Sequence, residues 1–253
     1  MTLMPMVPGD TPEPPGRGEG LGVDLPVPDR ALAIGAHPDD IDFGCGGTLA
    51  KWSAAGCAVT ELVLTDGSKG SWDPKTDRAT LVALRQEEQR AAATALGAKD
   101  VVFLGHVDGE LDSGLAERAE VCRVIRETRP AIVLGHDPWK RYRLHPDHRH
   151  AGFLAVEGIV AARDPHFFPD QGLSPHRPTS LLLWEADVVD HVESIAGFLA
   201  VEGIVAARDP HFFPEQGLEP HRPSTLLLWE ADVVDHLEDI EAVDHVEIGR
   251  AHV

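Results

Sequence analysis

Ala31-Leu-Ala-Ile-Gly-Ala-His-Pro-Asp-Asp-Ile-Asp-Phe-Gly-Cys-Gly-Gly-Thr-Leu-Ala50 is the stretch on which the reading of this chain turns. The run Ala31 to Ile34 is short, apolar and closed by Gly35, the pattern of a strand buried on both faces of a parallel sheet. Behind it stand His37, Asp39 and Asp40, spaced by Pro38 and followed by the start of a helix. In an open α/β sheet, ligands and chemistry gather just past the carboxyl ends of the strands. His37 and Asp40, close together on a tight loop, can both face one metal ion, which leaves Asp39 free to act on water. Two ligands do not make a catalytic metal centre, so another segment must contribute. His145-Pro-Asp-His-Arg-His150 does so, again just past an apolar strand-like run, Ala131 to Leu134. His37, Asp40 and His148 then make three N/O ligands with a position open for water, the arrangement of a catalytic zinc site rather than a structural one. A hydrolase needs such a site.

The flanking sequence continues the alternation. Gly46 to Ala55 has helical spacing and stops at Gly56, and Val59 to Leu64 reads as a second strand. Ala79 to Leu96 reads as a helix with Leu81, Leu84, Glu88, Ala92 and Ala95 at helical spacing, its run Arg85-Gln-Glu-Glu-Gln-Arg90 forming a solvated face. Val101 to Leu104 is a third strand, Leu115 to Arg126 a helix, and Pro130 breaks the chain before the strand Ala131 to Leu134. Strands alternating with helices imply an α/β fold: a mostly parallel, right-handed, Rossmann-like sheet with helices on both faces.

Bulk properties exclude several classes. The 253 residues are 43% hydrophobic, ample for a packed core. A net charge of -20 and a pI near 4.9 argue against nucleic acid or an anionic membrane surface as partner. Cys45, Cys57 and Cys122 are too scattered for a disulfide framework, which makes a reducing cytoplasm the simplest compartment. No window has the length of a membrane span. Met1 to Arg30 is rich in proline and glycine and reads as a flexible leader, with the catalytic domain over residues 31–195.

Ala36-His-Pro-Asp-Asp40, the Gly44-Cys-Gly-Gly-Thr-Leu-Ala50 helix start and the later His145-Pro-Asp-His148 together resemble the PIG-L (LmbE-like) family of zinc-dependent N-acetylglucosaminyl deacetylases. The resemblance runs from about Ala31 to Glu185. It implies His37, Asp40 and His148 as zinc ligands and Asp39 as general base. It also implies His145 as the group that stabilises the oxyanion or protonates the leaving amine. Asp147, beside these histidines, is expected to hold the His145 imidazole and raise its basicity. The loop Thr65 to Trp72, with Ser68 and Lys69, matches the family's substrate loop and suits a sugar edge. Asp108 matches a position that contacts a sugar hydroxyl; a loop aspartate stabilising its own turn before Gly109 is the alternative. Arg143 belongs to a cationic loop with Lys140, Arg141 and Arg149, suited to an anionic or hydroxyl-rich ligand. One departure is Asp42, where the family more often has glutamate. The implied activity is removal of acetyl from a small-molecule N-acetylglucosamine conjugate. The alternatives are an amidase acting on another N-acyl group, such as a thiol-sugar conjugate, and a non-catalytic sugar-binding or damaged homologue. The intact Asp39 speaks against the last, since a binding module has no use for the base. Iron in place of zinc, and the oligomeric state, stay open.

Residues 151–195 recur almost unchanged at 196–240. Solenoids usually need about three or more repeats, so two copies inside an α/β fold have no such logic. Only one copy can occupy the sheet position beside His148, and the first, contiguous with the ligand loop, is expected there. Glu247-Ile-Gly-Arg-Ala-His-Val253 resembles the in-frame translation of a common sequencing adapter. Duplicate and tail are therefore read as assembly or read-through artefacts, with a true C-terminal region missing. His166, His176, His211 and His221, beside prolines, are expected to be loop residues rather than ligands.

Overall fold

The computed structural model describes residues 22–141, 144–186 and 191–193, together with the two-residue strands Leu226–Leu227 and Val246–Glu247. Most of the leader, most of the second copy and most of the tail lie outside these residues, as do Tyr142 and Arg143.

Five strands build the main sheet: β1 (Arg30–Gly35), β2 (Ala58–Thr65), β3 (Asp100–His106), β4 (Ile132–His136) and β5 (Ser180–Trp184). Their order is β3-β2-β1-β4-β5 and every pairing is parallel. The helices are α1 (Asp40–Ala54), α2 (Arg78–Ala95), α3 (Leu115–Thr128) and α4 (Pro146–Arg163). The period of two along the strands sorts the core into two layers. Leu32, Ile34, Leu62, Leu64 and Val133 pack with Val121, Cys122 and Ile125 of α3 and Leu154 and Ala155 of α4. Ala31, Ala33, Val59, Val63 and Leu134 pack on the other face with Ile41, Leu49 and Trp52 of α1. The sheet is covered on both faces, as the near-continuous apolar runs imply.

The first copy of the repeat does take the sheet position: β5 pairs with β4 from Ser180 on Ile132 to Trp184 on His136. Strand order reverses at β1, whose next neighbour on that side is β4, so the crevice for a ligand lies past the carboxyl ends of these two strands. Among the described residues no helix is long and apolar enough to cross a membrane.

Two sequence expectations need correction. Helix α1 begins at Asp40 rather than Gly46, because Asp39 takes a left-handed conformation (φ 93°) that turns the chain straight from the loop into the helix. Gly44 stays within the helix because nothing larger fits: a Cβ there would lie 2.6 Å from the Trp184 ring. The inward face of α2 is also rotated from the expected one. Leu84 and Glu88 face solvent, whereas Gln89 and Ala93 are buried and Arg85 is half-buried, so the charged run is not uniformly solvated.

Candidate active site

The loop after β1, the end of β4 and the first turn of α4 meet at the crevice. His37 leaves β1 with its backbone N–H donating to Asp40 Oδ2 at 2.7 Å, and its Nδ1 lies 3.3 Å from the same oxygen. Asp40 is the first residue of α1, where a carboxylate suits the positive helix end. Its two oxygens receive three imidazoles: His37, His148 Nε2 at 3.2 Å from Oδ1, and His136 Nε2 at 3.4 Å from Oδ2. His136 closes β4. It stacks on His148 with ring centroids 4.4 Å apart and accepts the Trp184 indole N–H at Nδ1, 3.1 Å away. Sequence reasoning passed over His136; the available signal was a histidine ending a strand beside the switch point.

Helix α4 starts with Pro146 at its first turn and His145 as its cap, the His145 Nδ1 accepting the Asp147 backbone N–H at 3.3 Å. This places Asp147 differently from the sequence expectation. Its carboxylate is fully buried and accepts the backbone N–H of Gly109 at 2.6 Å and of Leu111 at 3.3 Å, and it faces His37 Nε2 at 3.0 Å. Its carboxylate touches His37 rather than His145, because the helix start sends it toward the loop after β3; toward His145 the residue acts through its charge, which by itself raises that imidazole, and through its backbone N–H. Asp108, also buried, stands 3.2 Å from His37 Nε2 and accepts the Lys69 backbone N–H at 2.9 Å. The Lys69 ammonium pairs with Glu110 at 3.0 Å, and Ser68 is buried with its N–H on Asp66 Oδ1. Arg143 lies outside the described residues. His106, which binds Glu120, and His176, which binds the Pro130 carbonyl, serve structure elsewhere.

The charges follow from these contacts. Burial opposes a proton on His37, yet the carboxylates of Asp147, Asp40 and Asp108 push its imidazole up to about 10. Burial likewise works against charge on Asp40, but His136, His148 and His37 hold it well below the usual carboxylate range. Asp147 is lowered despite its burial by His37 and the Gly109 N–H. His145 is lowered by burial and by the positive charge of His37. Three sets of side chains, among the described residues, bring one ligating atom each within 4.8 Å of the others: His37, His145 and His148; His37, Asp108, His145 and Asp147; and Asp40, His136 and His148.

Asp39 stands beside this cluster, 47% exposed at its side chain. Arg85 of α2 donates to Asp39 Oδ2 at 2.6 Å and to the Pro38 carbonyl at 2.7 Å, and Gln89, one turn on, accepts the Asp39 N–H at 2.6 Å.

Known proteins share this arrangement of chain. A diacetylchitobiose deacetylase from Thermococcus kodakarensis is 43% identical over 150 residues, covering 58% of this chain and 56% of the relative. A 1D-myo-inositol 2-acetamido-2-deoxy-alpha-D-glucopyranoside deacetylase from Streptomyces scabiei is 36% identical over 168 residues, covering 56% of this chain and 52% of the relative. The chain thus spans about half the length of these curated relatives. Among solved structures, the N,N'-diacetylchitobiose deacetylase of Pyrococcus horikoshii superposes with a TM-score of 0.66 at 32% identity, covering 69% of this chain and 67% of that one. The GlcNAc-PI de-N-acetylase family matches residues 32–159, half of the chain and all of the elements from β1 into α4, and to this PIG-L family the chain belongs.

Proposed function

We propose that this chain is a metal-dependent hydrolase that removes the acetyl group from a small N-acetylglucosamine-containing molecule, releasing acetate and a free amino sugar. The observation that carries the reading is the meeting of His37, Asp40 and His148, with Asp39 beside them, in the crevice past β1 and β4. The family match and the deacetylase relatives support the same class. The donor set fits a divalent ion. Imidazole nitrogens and carboxylate oxygens suit zinc, and three carboxylates crowding one half-buried imidazole are an excess of negative charge that such an ion balances. His37, Asp40 and His148 would hold the zinc, with His136 steadying Asp40 from the strand end. When bound, zinc lowers the pKa of water from about 15.7 toward 7 and polarises the acyl oxygen.

The chain's own groups do the rest. Asp39 takes the proton of the attacking water, one oxygen fixed by Arg85 and the side chain 47% exposed. With His145 Nδ1 committed to a backbone N–H, the neutral ring carries its proton on Nε2 and can donate it toward the developing oxyanion. Such a donor contributes about 2.7 to 4 kcal/mol in other hydrolases. The proton that Asp39 takes from the water then passes to the leaving amine as the C–N bond breaks. Asp147 keeps His37 in place with Asp108 beside it, and Ser68 and Lys69 on the loop after β2 are the groups offered to the sugar.

The higher identity to diacetylchitobiose deacetylase favours a chitobiose-type substrate over an inositol glycoside, in a cytoplasmic setting that suits free cysteines. Acetate release from N,N'-diacetylchitobiose, N-acetylglucosamine, an N-acetylglucosaminyl inositol and their N-propionyl counterparts tests this. Acetate from the chitobiose at the highest rate supports the reading; faster release of propionate moves the chain to the other amidase class, and no release from any by metal-loaded protein overturns it.

A further inference from the structure

Beneath Asp39 lies a buried polar chain that the site itself does not account for. Asp39 has φ 93° and ψ -25°, a left-handed backbone state that a non-glycine residue rarely adopts and that persists only where the surroundings hold it. Gln89 does the holding: its Oε1 accepts the Asp39 N–H at 2.6 Å. The amide of Gln89 is 2% exposed and is itself oriented, since its Nε2 donates to Glu61 Oε2 at 2.8 Å and to Asp42 Oδ2 at 3.1 Å. Turned over, the amide would set its own N–H groups against the Asp39 N–H, so the two carboxyl acceptors decide which way it faces.

Glu61 is an unusual residue for its position. It sits mid-strand in β2 between Thr60 and Leu62, with no exposed surface, on the face where Val59 and Val63 pack against α1. Apolar core would be cheaper there, because a buried carboxyl costs free energy unless it is paired. Glu61 Oε1 and Asp42 Oδ1 have no hydrogen-bond partner among the described residues, so the two carboxyls are arranged around one amide rather than fully satisfied. A residue kept at this cost has a task, and its hydrogen bond with Gln89 names it.

We propose that Glu61 and Gln89 are positioning residues for Asp39: Glu61 sets the orientation of the Gln89 amide, and Gln89 sets the peptide of Asp39 and hence the place of its carboxylate. The inference rests on Asp39 being the base. Gln89→Leu removes the acceptor, Glu61→Leu removes what orients it, and Glu61→Gln keeps an acceptor oxygen for the Gln89 amide. In the zinc-loaded 253-residue protein, Gln89→Leu and Glu61→Leu are expected to lower kcat by about a hundredfold, the size of effect that a small misplacement of a catalytic group produces, with KM within about twofold and metal content intact. Glu61→Gln is expected to restore kcat to within about threefold of the parent, which a purely packing role would not require. The double Leu variant should lose no more than either single one, because both act through the same peptide. Parent-like kcat in Gln89→Leu, additive losses in the double variant, or loss of metal together with activity would overturn the proposal. Amide hydrogen exchange over residues 36–43 reads the same device without substrate, so it separates this proposal from the deacetylase reading. Faster exchange at Asp39 in both Leu variants and not in Glu61→Gln supports it even if no acetate is released, and unchanged exchange overturns it even if acetate is.

Discussion

Replacing Glu61 with glutamine should stabilise the protein at high pH and do little at low pH. Glu61 has no exposed surface, and burial, only partly offset by the hydrogen bond from Gln89 and aided by the charge of Asp42, pushes its carboxyl from an ordinary 4.5 to about 7. The unfolded chain therefore releases this proton at lower pH than the folded one. Between those two values the unfolded state holds fewer protons, so stability falls as pH rises through the window and is level on either side as far as this group is concerned. At 1.36 kcal/mol per pH unit the whole fall is about 3 kcal/mol. Glutamine carries no such proton and keeps an oxygen for Gln89. The Tm of Glu61→Gln should match the parent near pH 4 and exceed it by roughly 6–12 °C near pH 8, taking 2–4 °C per kcal/mol for a domain of this size. Chelator in both samples keeps metal out of the comparison, and His37 titrates alike in both. A Tm difference that does not change with pH, or a variant less stable than the parent at pH 8, would refute the reasoning.

Other perturbations separate the parts. Asp39→Asn keeps a residue that tolerates the left-handed backbone, so the fold and metal content should hold while acetate release falls about 10²- to 10⁴-fold, the usual worth of a general base. Gly44→Ala sets a Cβ 2.6 Å from Trp184 and should cost about 1–3 kcal/mol in denaturant unfolding; a stability equal to the parent would mean that the α1–β5 contact is looser than described. Arg126, 3% exposed, donates to the carbonyls of Ala161 and Ala162 in the last turn of α4 and of Asp164, Phe167 and Phe168 past its end. Arg126→Met leaves these acceptors without their donor and should lower stability by about 3 kcal/mol or more, read as a fall in urea midpoint.

Much of this was legible along the chain, and the parts that were not share a cause. The strands showed as apolar runs because both faces of the sheet are covered, and His37, Asp40 and His148 showed because each follows a strand end within a short motif. The inward face of α2 did not show. Arg85 and Gln89 read as surface residues, and the groups that bury them, Asp39, Asp42 and Glu61, lie far away in sequence. A glutamate interrupting the apolar run Val59 to Leu64 was the one local sign. Asp147 reads as a partner of its sequence neighbour His145, whereas the helix start gives its carboxylate direct contact with the Gly109 loop and His37 and leaves His145 nearby without a hydrogen bond to that carboxylate. Asp108 reads in sequence either as a sugar contact or as a loop aspartate stabilising its own turn, and its place 3.2 Å from His37 depends on the packing of the loop after β3, which no spacing encodes. The first copy of the repeat in the sheet was legible from continuity alone, since α4 carries His148 directly into it.

Bound metal per chain, measured on the purified 253-residue protein beside Asp39→Asn and His148→Ala, tests the account most directly. One equivalent of zinc retained through dialysis by the parent and by Asp39→Asn, and lost from folded His148→Ala, is the predicted result. Equal zinc in parent and His148→Ala, or a folded parent that takes up none, would contradict it.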